Sequence, residues 1–384
     1  ANTMLRSGIV VDLEYLNAAR VDKHSIGGVG DKVSLILAPL VAALDVYVPM
    51  MSGHGLGHTG GTVDKLEAIP GFTTALSLEQ FKQQLEQLKC ALIAPTEAIA
   101  PLDKRLYALR DVTGTVESIP LISSSIMSKK LAEGINGLVL DIKRGNGSFM
   151  PELERGLELA RTMIGIGEDN GCRTVALVTA MDRPLGCAVG NAIETEEAIM
   201  TLRGEGPADL VHVTLALAAE MLVLAGKAQR PGQGYEMARA ALEDGRAADL
   251  MRRIIEAQGG NAAVMDDPAI LPQAPMRMTM EADRNGFVGG VNTRAIGEAA
   301  VALGAGRVNI DSEIDPAVGF HITAKPGNDV VQGQPLATIF VRNKASGEKA
   351  MAALRAAMPI VDEKVTPLPL VSHRVTAQGV EELK

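Results

Sequence analysis

Val21-Asp-Lys-His-Ser-Ile-Gly-Gly-Val-Gly-Asp31 and, further along, Met51-Ser-Gly-His-Gly-Leu-Gly-His-Thr-Gly-Gly-Thr-Val-Asp-Lys-Leu-Glu67 decide how the chain is read. Both stretches are glycine loops that also carry hydroxyls and a lysine. Glycine lets the backbone come close to an anion and adopt positive φ. Successive N–H groups then converge on that anion, helped where a helix starts just after the loop. His24, between Lys23 and Ser25, adds a group that titrates near neutral pH. The apolar run 33–44 reads as a helix and Val46-Tyr-Val-Pro49 as a strand. The two loops therefore sit at the mouth of a βαβ unit, where they suit a phosphate.

Outward from there, residues 77–89 predict an amphipathic helix with a Ser77/Gln80 capping box and Leu78, Phe81, Leu85 and Leu88 on one face. Residues 102–133 are helical in tendency and broken near Thr113-Gly114-Thr115. Ser118 and Pro120 mark a new start, which puts Ser125 and Lys129 one turn apart on the same side. Gly137–Lys143 reads as a buried strand leading into the loop 144–149, with a helix from about 152. A short strand at 174–179 and helices at 190–203 and 209–226 continue the alternation, which implies a largely parallel sheet with helices on its faces. From 275 the texture changes to strand-like runs at 287–291, 319–324 and 336–341, with a helix at 345–357.

The expected fold is α/β: a mostly parallel sheet domain (9–101 and 133–274), a small helical domain shortened on its N-terminal side (1–8 and 102–132), and a C-terminal α+β subdomain (275–384). A chain of 384 residues has room for these parts. It has 40 glycines, no tryptophan and only 3% aromatic residues, which favours close helix-on-sheet packing over a β-sandwich. A net charge of −9 argues against a nucleic-acid or membrane-surface partner, so a bound phosphate needs a local positive cluster. Cys90, Cys172 and Cys187 are widely spaced, without metal-ligand pairing, and read as reduced thiols of a cytoplasmic protein. No apolar run approaches the roughly 20 residues of a membrane span.

The pair Lys23-His-Ser-x-Gly-Gly-Val-Gly-Asp31 and Ser52-Gly-x-Gly-Leu-Gly-His-Thr-Gly-Gly-Thr-x-Asp-Lys-x-Glu67 resembles the thymidine phosphorylase and pyrimidine-nucleoside phosphorylase family. The likeness continues through Tyr107-Ala-Leu-Arg110-Asp111, Ser118-Ile-Pro-Leu-Ile-Ser-Ser-Ser125-Ile-Met-Ser-Lys129-Lys130, Asp141–Pro151 and Val189-Gly-Asn191, and into the C-terminal part. It implies reversible phosphorolysis of thymidine and deoxyuridine to a pyrimidine base and 2-deoxy-α-D-ribose 1-phosphate. By that resemblance Lys23, Ser25, Ser34, Ser52 and Thr62 contact phosphate. Arg110, Ser125 and Lys129 bind the pyrimidine, with His24 as acid at its carbonyl oxygen. Met50, Leu56, Tyr107, Val116 and Phe149 line the base pocket, and methionine at 50 matches the thymidine-preferring members. The family also implies a homodimer acting on small molecules, with a cleft that closes between the helical and α/β domains.

The sequence departs from the family in three places. Family members carry helices ahead of the point where Ala1-Asn2-Thr3 begins, so residues 102–132 are expected to expose an apolar face and make the chain less stable or drive association. His54 stands where the family has arginine, which implies weaker or pH-dependent phosphate binding. The uridine-accepting members hold a monovalent cation near positions matching Gly30, Lys32, Leu185, Ala188 and Glu197. Here Lys32 replaces a hydroxyl ligand, so an ammonium paired with Glu197 is expected in place of the ion, with no metal and no organic cofactor. The rival reading within enzymes is a phosphoribosyltransferase, whose magnesium-dependent chemistry needs a paired-acid loop that the sequence does not show.

Overall fold

The computed structural model describes residues 1–55, 57–96, 98–102, 118–307 and 312–383. Its central layer holds β1 (Val21–Ser25), β2 (Val48–Met51), β3 (Cys90–Ile93), β4 (Gly137–Arg144) and β5 (Arg173–Ala180). β2 pairs with β3, β1 with β4 and β4 with β5, all parallel, and an Arg20–Tyr47 bridge ties the β2–β3 pair to β1. Around it lie α1 (Asn2–Leu5), α2 (Val33–Ala42), α3 (Thr62–Leu66), α4 (Leu78–Leu88), α5 (Ile119–Ala132), α6 (Leu153–Asp169), α7 (Ala192–Leu202), α8 (Ala208–Leu224), α9 (Pro231–Glu243) and α10 (Arg246–Ala257).

The period of two along β4 builds two separate cores. Leu138, Leu140 and Ile142 join Met127 and Leu131 of α5 and Leu157 and Met163 of α6. Val139, with Val175 and Leu177 of β5, faces the other way, toward α2 and α8. Because both faces are covered, β4 begins as an apolar run, Leu138–Leu140, before its charged end. Every residue of α2 is buried, so it is apolar all round and lies inside the domain. α4 keeps the expected capping box, and Phe81, Leu85 and Leu88 are buried; Leu78, expected on the same face, is 39% exposed.

Residues 231–257, unassigned from sequence, form α9 and α10, and Leu250, Met251, Ile254 and Ile255 of α10 pack into the larger core. The C-terminal part is built on an antiparallel sheet of β6 (Ala188–Gly190), β7 (Met276–Glu281), β9 (Gly319–Ile322) and β11 (Pro335–Val341), in the order β6-β9-β11-β7. β8 (Gly286–Val288), β10 (Asp329–Val330) and β12 (Ile360–Val361) form a smaller one, and α11 (Thr293–Ala300) packs on α12 (Lys344–Ala357).

Strand pairing crosses the boundary expected at 274/275 in both directions. β6, from the α/β half, is the edge strand beside β9. β13 (Val371–Thr376) returns to pair antiparallel with β5 and carries β14 (Gly379–Glu382) on its far side. β5 would otherwise present an unpaired row of backbone groups. Arg374 of β13 clamps the return by donating to Glu220 of α8 at 2.7 Å.

α1 packs against α5; residues 103–117, expected in the same helical part, lie outside the described residues. α5 is stapled to the sheet by Lys130, whose buried Nζ donates to Asp22 Oδ2 (2.5 Å), the Met51 carbonyl (2.6 Å) and Glu133 Oε1 (2.9 Å). Burial raises the Glu133 carboxyl well above its ordinary value in spite of Lys130. Replacing Lys130 with Met removes the shared donor of two buried carboxyl groups, Asp22 and Glu133, and urea denaturation is expected to show a loss of about 3–5 kcal/mol. Adding Asp22→Asn and Glu133→Gln is expected to restore much of it.

Candidate active site

A cleft of about 320 Å³ opens where the C-terminal ends of β1, β2 and β4 meet α5, the position that open parallel sheets offer a ligand. Lys23, His24 and Ser25 end β1, and the alternation of a strand sends successive side chains to opposite faces. Lys23 and Ser25 turn toward Asp31 and Asp141, while His24 turns toward Lys129 and Lys130 of α5. One tripeptide therefore serves both walls.

On the first wall, the Ser25 hydroxyl donates to Asp31 Oδ2 at 2.6 Å. Lys143 Nζ lies 2.7 Å from Asp141 and 3.7 Å from Asp31, and Lys23 Nζ lies 3.6 Å from Asp141 and 4.0 Å from Asp31. Lys65, fully buried, donates to the Asp31 carbonyl at 2.9 Å and pairs with Glu194 at 3.0 Å. Burial alone would raise the Asp31 carboxyl, but Lys143, then Lys23, the Ser25 hydroxyl and Lys65 outweigh it and hold it well below the usual carboxylate range. Among the described residues the buried Lys23 Nζ makes no hydrogen bond, and Lys23 lines the cleft. Ser34, in the first turn of α2, completes this floor.

The second glycine loop closes over the same wall with Ser52, Gly53, His54, Thr59, Gly60, Gly61 and Thr62. Gly61 is required by close approach: a Cβ there would lie 2.1 Å from the Gly55 nitrogen and 2.4 Å from the His54 carbonyl carbon.

On the opposite wall, α5 contributes Ile122, Ser125, Ile126 and Lys129, joined by Phe149 and Met150 from the loop after β4. Lys129 Nζ donates to Ser125 Oγ at 3.4 Å, as their four-residue spacing predicts. The Phe149 ring is fixed against the His58 ring, centroids 5.1 Å apart, and His58 Nε2 is 3.0 Å from the Gly147 carbonyl oxygen. Burial, then Lys130, Lys129 and Lys23, push the His24 imidazole well below its ordinary value against the opposing Asp31. His24 is thus neutral near pH 7.

Of the residues expected at the site, Lys23, His24, Ser25, Ser34, Ser52, Thr62, Ser125, Lys129 and Phe149 line this one cleft. Met50 does not. It is fully buried in the larger core beside its strand partner Leu92, because its position on β2 points inward. Leu56, Tyr107, Arg110 and Val116 lie outside the described residues. The expected cation position is built as a lysine site: Lys32 Nζ donates to the carbonyls of Leu185 (3.0 Å) and Ala188 (2.9 Å) and to Glu197 Oε2 (2.5 Å). Donor atoms of Cys187, Glu197 and His321 come within 4.8 Å of one another, but the Glu197 carboxylate is already taken by Lys32 and the N–H groups of Cys187 and Ala188. Asp31, Asp141 and Lys143 were given no role from sequence, and Lys65 entered only as the lysine of the second loop. The signal to look for was charge inside apolar strands, with Asp141 and Lys143 two apart and so on one face.

The family model described as "Glycosyl transferase family, a/b domain" matches residues 17–248, and "Pyrimidine nucleoside phosphorylase C-terminal domain" matches 287–361. The chain is 46% identical over 364 residues to a protein of Bacillus subtilis (strain 168) named pyrimidine-nucleoside phosphorylase, covering 95% of this chain and 84% of that one. A protein of the same name from Staphylococcus haemolyticus (strain JCSC1435) is 45% identical over the same shares. The chain belongs to the thymidine/pyrimidine-nucleoside phosphorylase family. The phosphorylase is therefore a glycosyltransferase. Among solved structures, anthranilate phosphoribosyltransferase from Thermus thermophilus matches with a TM-score of 0.52 at 19% identity over 67% of this chain and 82% of its own, a likeness of fold alone.

Gly61→Ala is expected to force the second loop off the first wall. Phosphate-dependent turnover should fall by about 100-fold or more, as for the loss of a positioned transition-state contact, while the thermal midpoint moves little.

Proposed function

We propose that the phosphorylase acts on thymidine and deoxyuridine, with phosphate attacking C1′ from the Lys23/Ser25 wall while the pyrimidine departs on the Ser125/Lys129 wall. The arrangement that supports this reading is the division of one cleft into a lysine- and hydroxyl-rich wall and an amphipathic wall. The second wall carries Ile122, Ile126, Phe149 and Met150 beside Ser125 and Lys129, apolar surface suited to a methylated pyrimidine. Cleaving an N-glycosidic bond places positive charge on the sugar and negative charge on the departing base, as in glycoside hydrolysis. Phosphate held by Lys23, Ser25, Ser34, Ser52 and Thr62 faces the first charge. Lys129, Ser125 and the neutral N–H of His24 meet the second, together with Arg110, each contributing on the order of 2.7–4 kcal/mol. Attack opposite the base inverts the anomeric carbon and gives the α-1-phosphate.

The Lys32 ammonium supplies the charge that a monovalent cation would bring to the loop between Gly30 and Glu197, so turnover is proposed to be independent of potassium. The chain is further proposed to work as a homodimer in the cytoplasm on small molecules, without nucleic acid or membrane. No described helix is long and apolar enough to cross a membrane.

Base release from thymidine, deoxyuridine and uridine, followed spectrophotometrically, tests the substrate reading. Release is expected to require phosphate or arsenate and to be fastest with the two deoxynucleosides. Faster release from uridine would make the enzyme a broad pyrimidine-nucleoside phosphorylase, and thymidine binding without release would make it a non-catalytic binding protein. Replacing potassium by tetramethylammonium is expected to leave the rate unchanged; a large loss would refute the role given to Lys32.

A further inference from the structure

Asp64 joins two parts of the chain that the sequence keeps far apart. Its Oδ1 accepts from Arg307 Nη1 at 2.8 Å and lies 2.8 Å from His54 Nδ1, and its Oδ2 accepts from the Gly55 N–H at 2.7 Å. Asp64 is buried in α3, His54 and Gly55 belong to the second glycine loop, and Arg307 comes from the C-terminal subdomain just after the helical turn Val301–Ala305. His54 lines the cleft. The other charged group facing it is Glu67, whose carboxylate comes within 4.8 Å of the His54 and Asp64 donor atoms.

We propose that Arg307 is a positioning residue of the anion wall: through Asp64 it fixes the His54 ring and the Gly55 backbone, and with them the edge of the second loop that meets phosphate. The inference rests on the reading that phosphate binds this wall. Three donors on two carboxylate oxygens leave Asp64 little freedom to turn. A ring whose Nδ1 is committed to Asp64 has only Nε2 left for an anion, and Nε2 carries a proton only in the imidazolium. The hydrogen bond to Asp64 raises the His54 imidazole above its ordinary value, burial and Arg307 pull it down, and Glu67 adds to the rise. Arg307 in turn helps His54 and Gly55 keep the Asp64 carboxyl low despite burial. The C-terminal subdomain is thereby wired to the charge state of one side chain in the cleft.

Opposite shifts in two variants separate this role from simple stabilisation. Arg307→Gln removes a positive charge beside His54, so the His54 imidazole, followed by NMR, is expected to titrate at higher pH. Asp64→Asn removes the negative charge that favours the imidazolium, so it is expected to titrate at lower pH. Arg307→Gln should also weaken binding of inorganic phosphate by about 5-fold or more, the scale of a coupling between sites, with thymine binding nearly unchanged, and Arg307→Lys should recover part of the loss. His54→Gln should abolish the pH step in phosphate affinity that remains after correction for phosphate's own ionisation. An unchanged His54 titration and unchanged phosphate affinity in Arg307→Gln would overturn the proposal, as would equal losses for phosphate and thymine. Phosphate binding with these shifts but without base release would sink the substrate reading and leave this one standing. No phosphate binding in the unsubstituted chain would sink both.

Discussion

Burying lysines is the constraint on which the site depends. Lys23, Lys32, Lys65 and Lys143 are all buried around the first glycine loop, and each buried ammonium costs several kcal/mol unless a counter-charge sits beside it. Asp141 and Asp31, Glu194 and Glu197 supply the counter-charges, from β4, the loop itself and α7. The loop is held in place because these pairs leave it nowhere else to go. The chain as a whole is negative and these four lysines are matched by four carboxylates, so an anion at this spot has to be held by donors aimed at it rather than by excess positive charge. Lys23 is the member of the cluster that faces the cleft with a hydrogen bond to give.

The second organising fact is the pleat of β1. Because His24 lies between Lys23 and Ser25, it turns toward α5 while its neighbours turn toward Asp31 and Asp141. A nucleophile and a leaving group can then be held on two sides of one strand end. Burial first, then the positive charge of Lys130 and Lys129, pushes the His24 imidazole down, and Lys129 also lines the cleft on that wall. The C-terminal subdomain belongs to this arrangement. Asn146, in the loop that carries Phe149, donates to the Val291 carbonyl and accepts from the Thr293 N–H, both at 2.8 Å, and Arg307 reaches Asp64.

Much of this was legible in the sequence where the signal is local. The glycine loops, the capping box at Ser77, the apolar strand at 137 and the Ser125/Lys129 spacing depend on neighbours within a few residues, and each is found in the structure. The return of residues 371–382 to β5 was not legible, because nothing in Val371–Thr376 says which edge it covers. Met50 was placed in the base pocket by family resemblance, whereas β2 turns it into the core. That Lys65 and Lys143 are buried in ion pairs was not legible, because a lysine in a sequence reads as surface until its partners, distant in the chain, are known. The lowered His24 imidazole was hidden for a like reason: it depends on burial first and then on charges from a helix about a hundred residues away in sequence.

A cleft with two walls, each holding its own ligand, is tested most directly by calorimetric titration of inorganic phosphate and of thymine into Thr62→Ala and Lys129→Met. Thr62→Ala is expected to lose phosphate affinity and keep thymine, and Lys129→Met to do the reverse. Loss of both ligands in both variants, or the opposite assignment of losses, would contradict it.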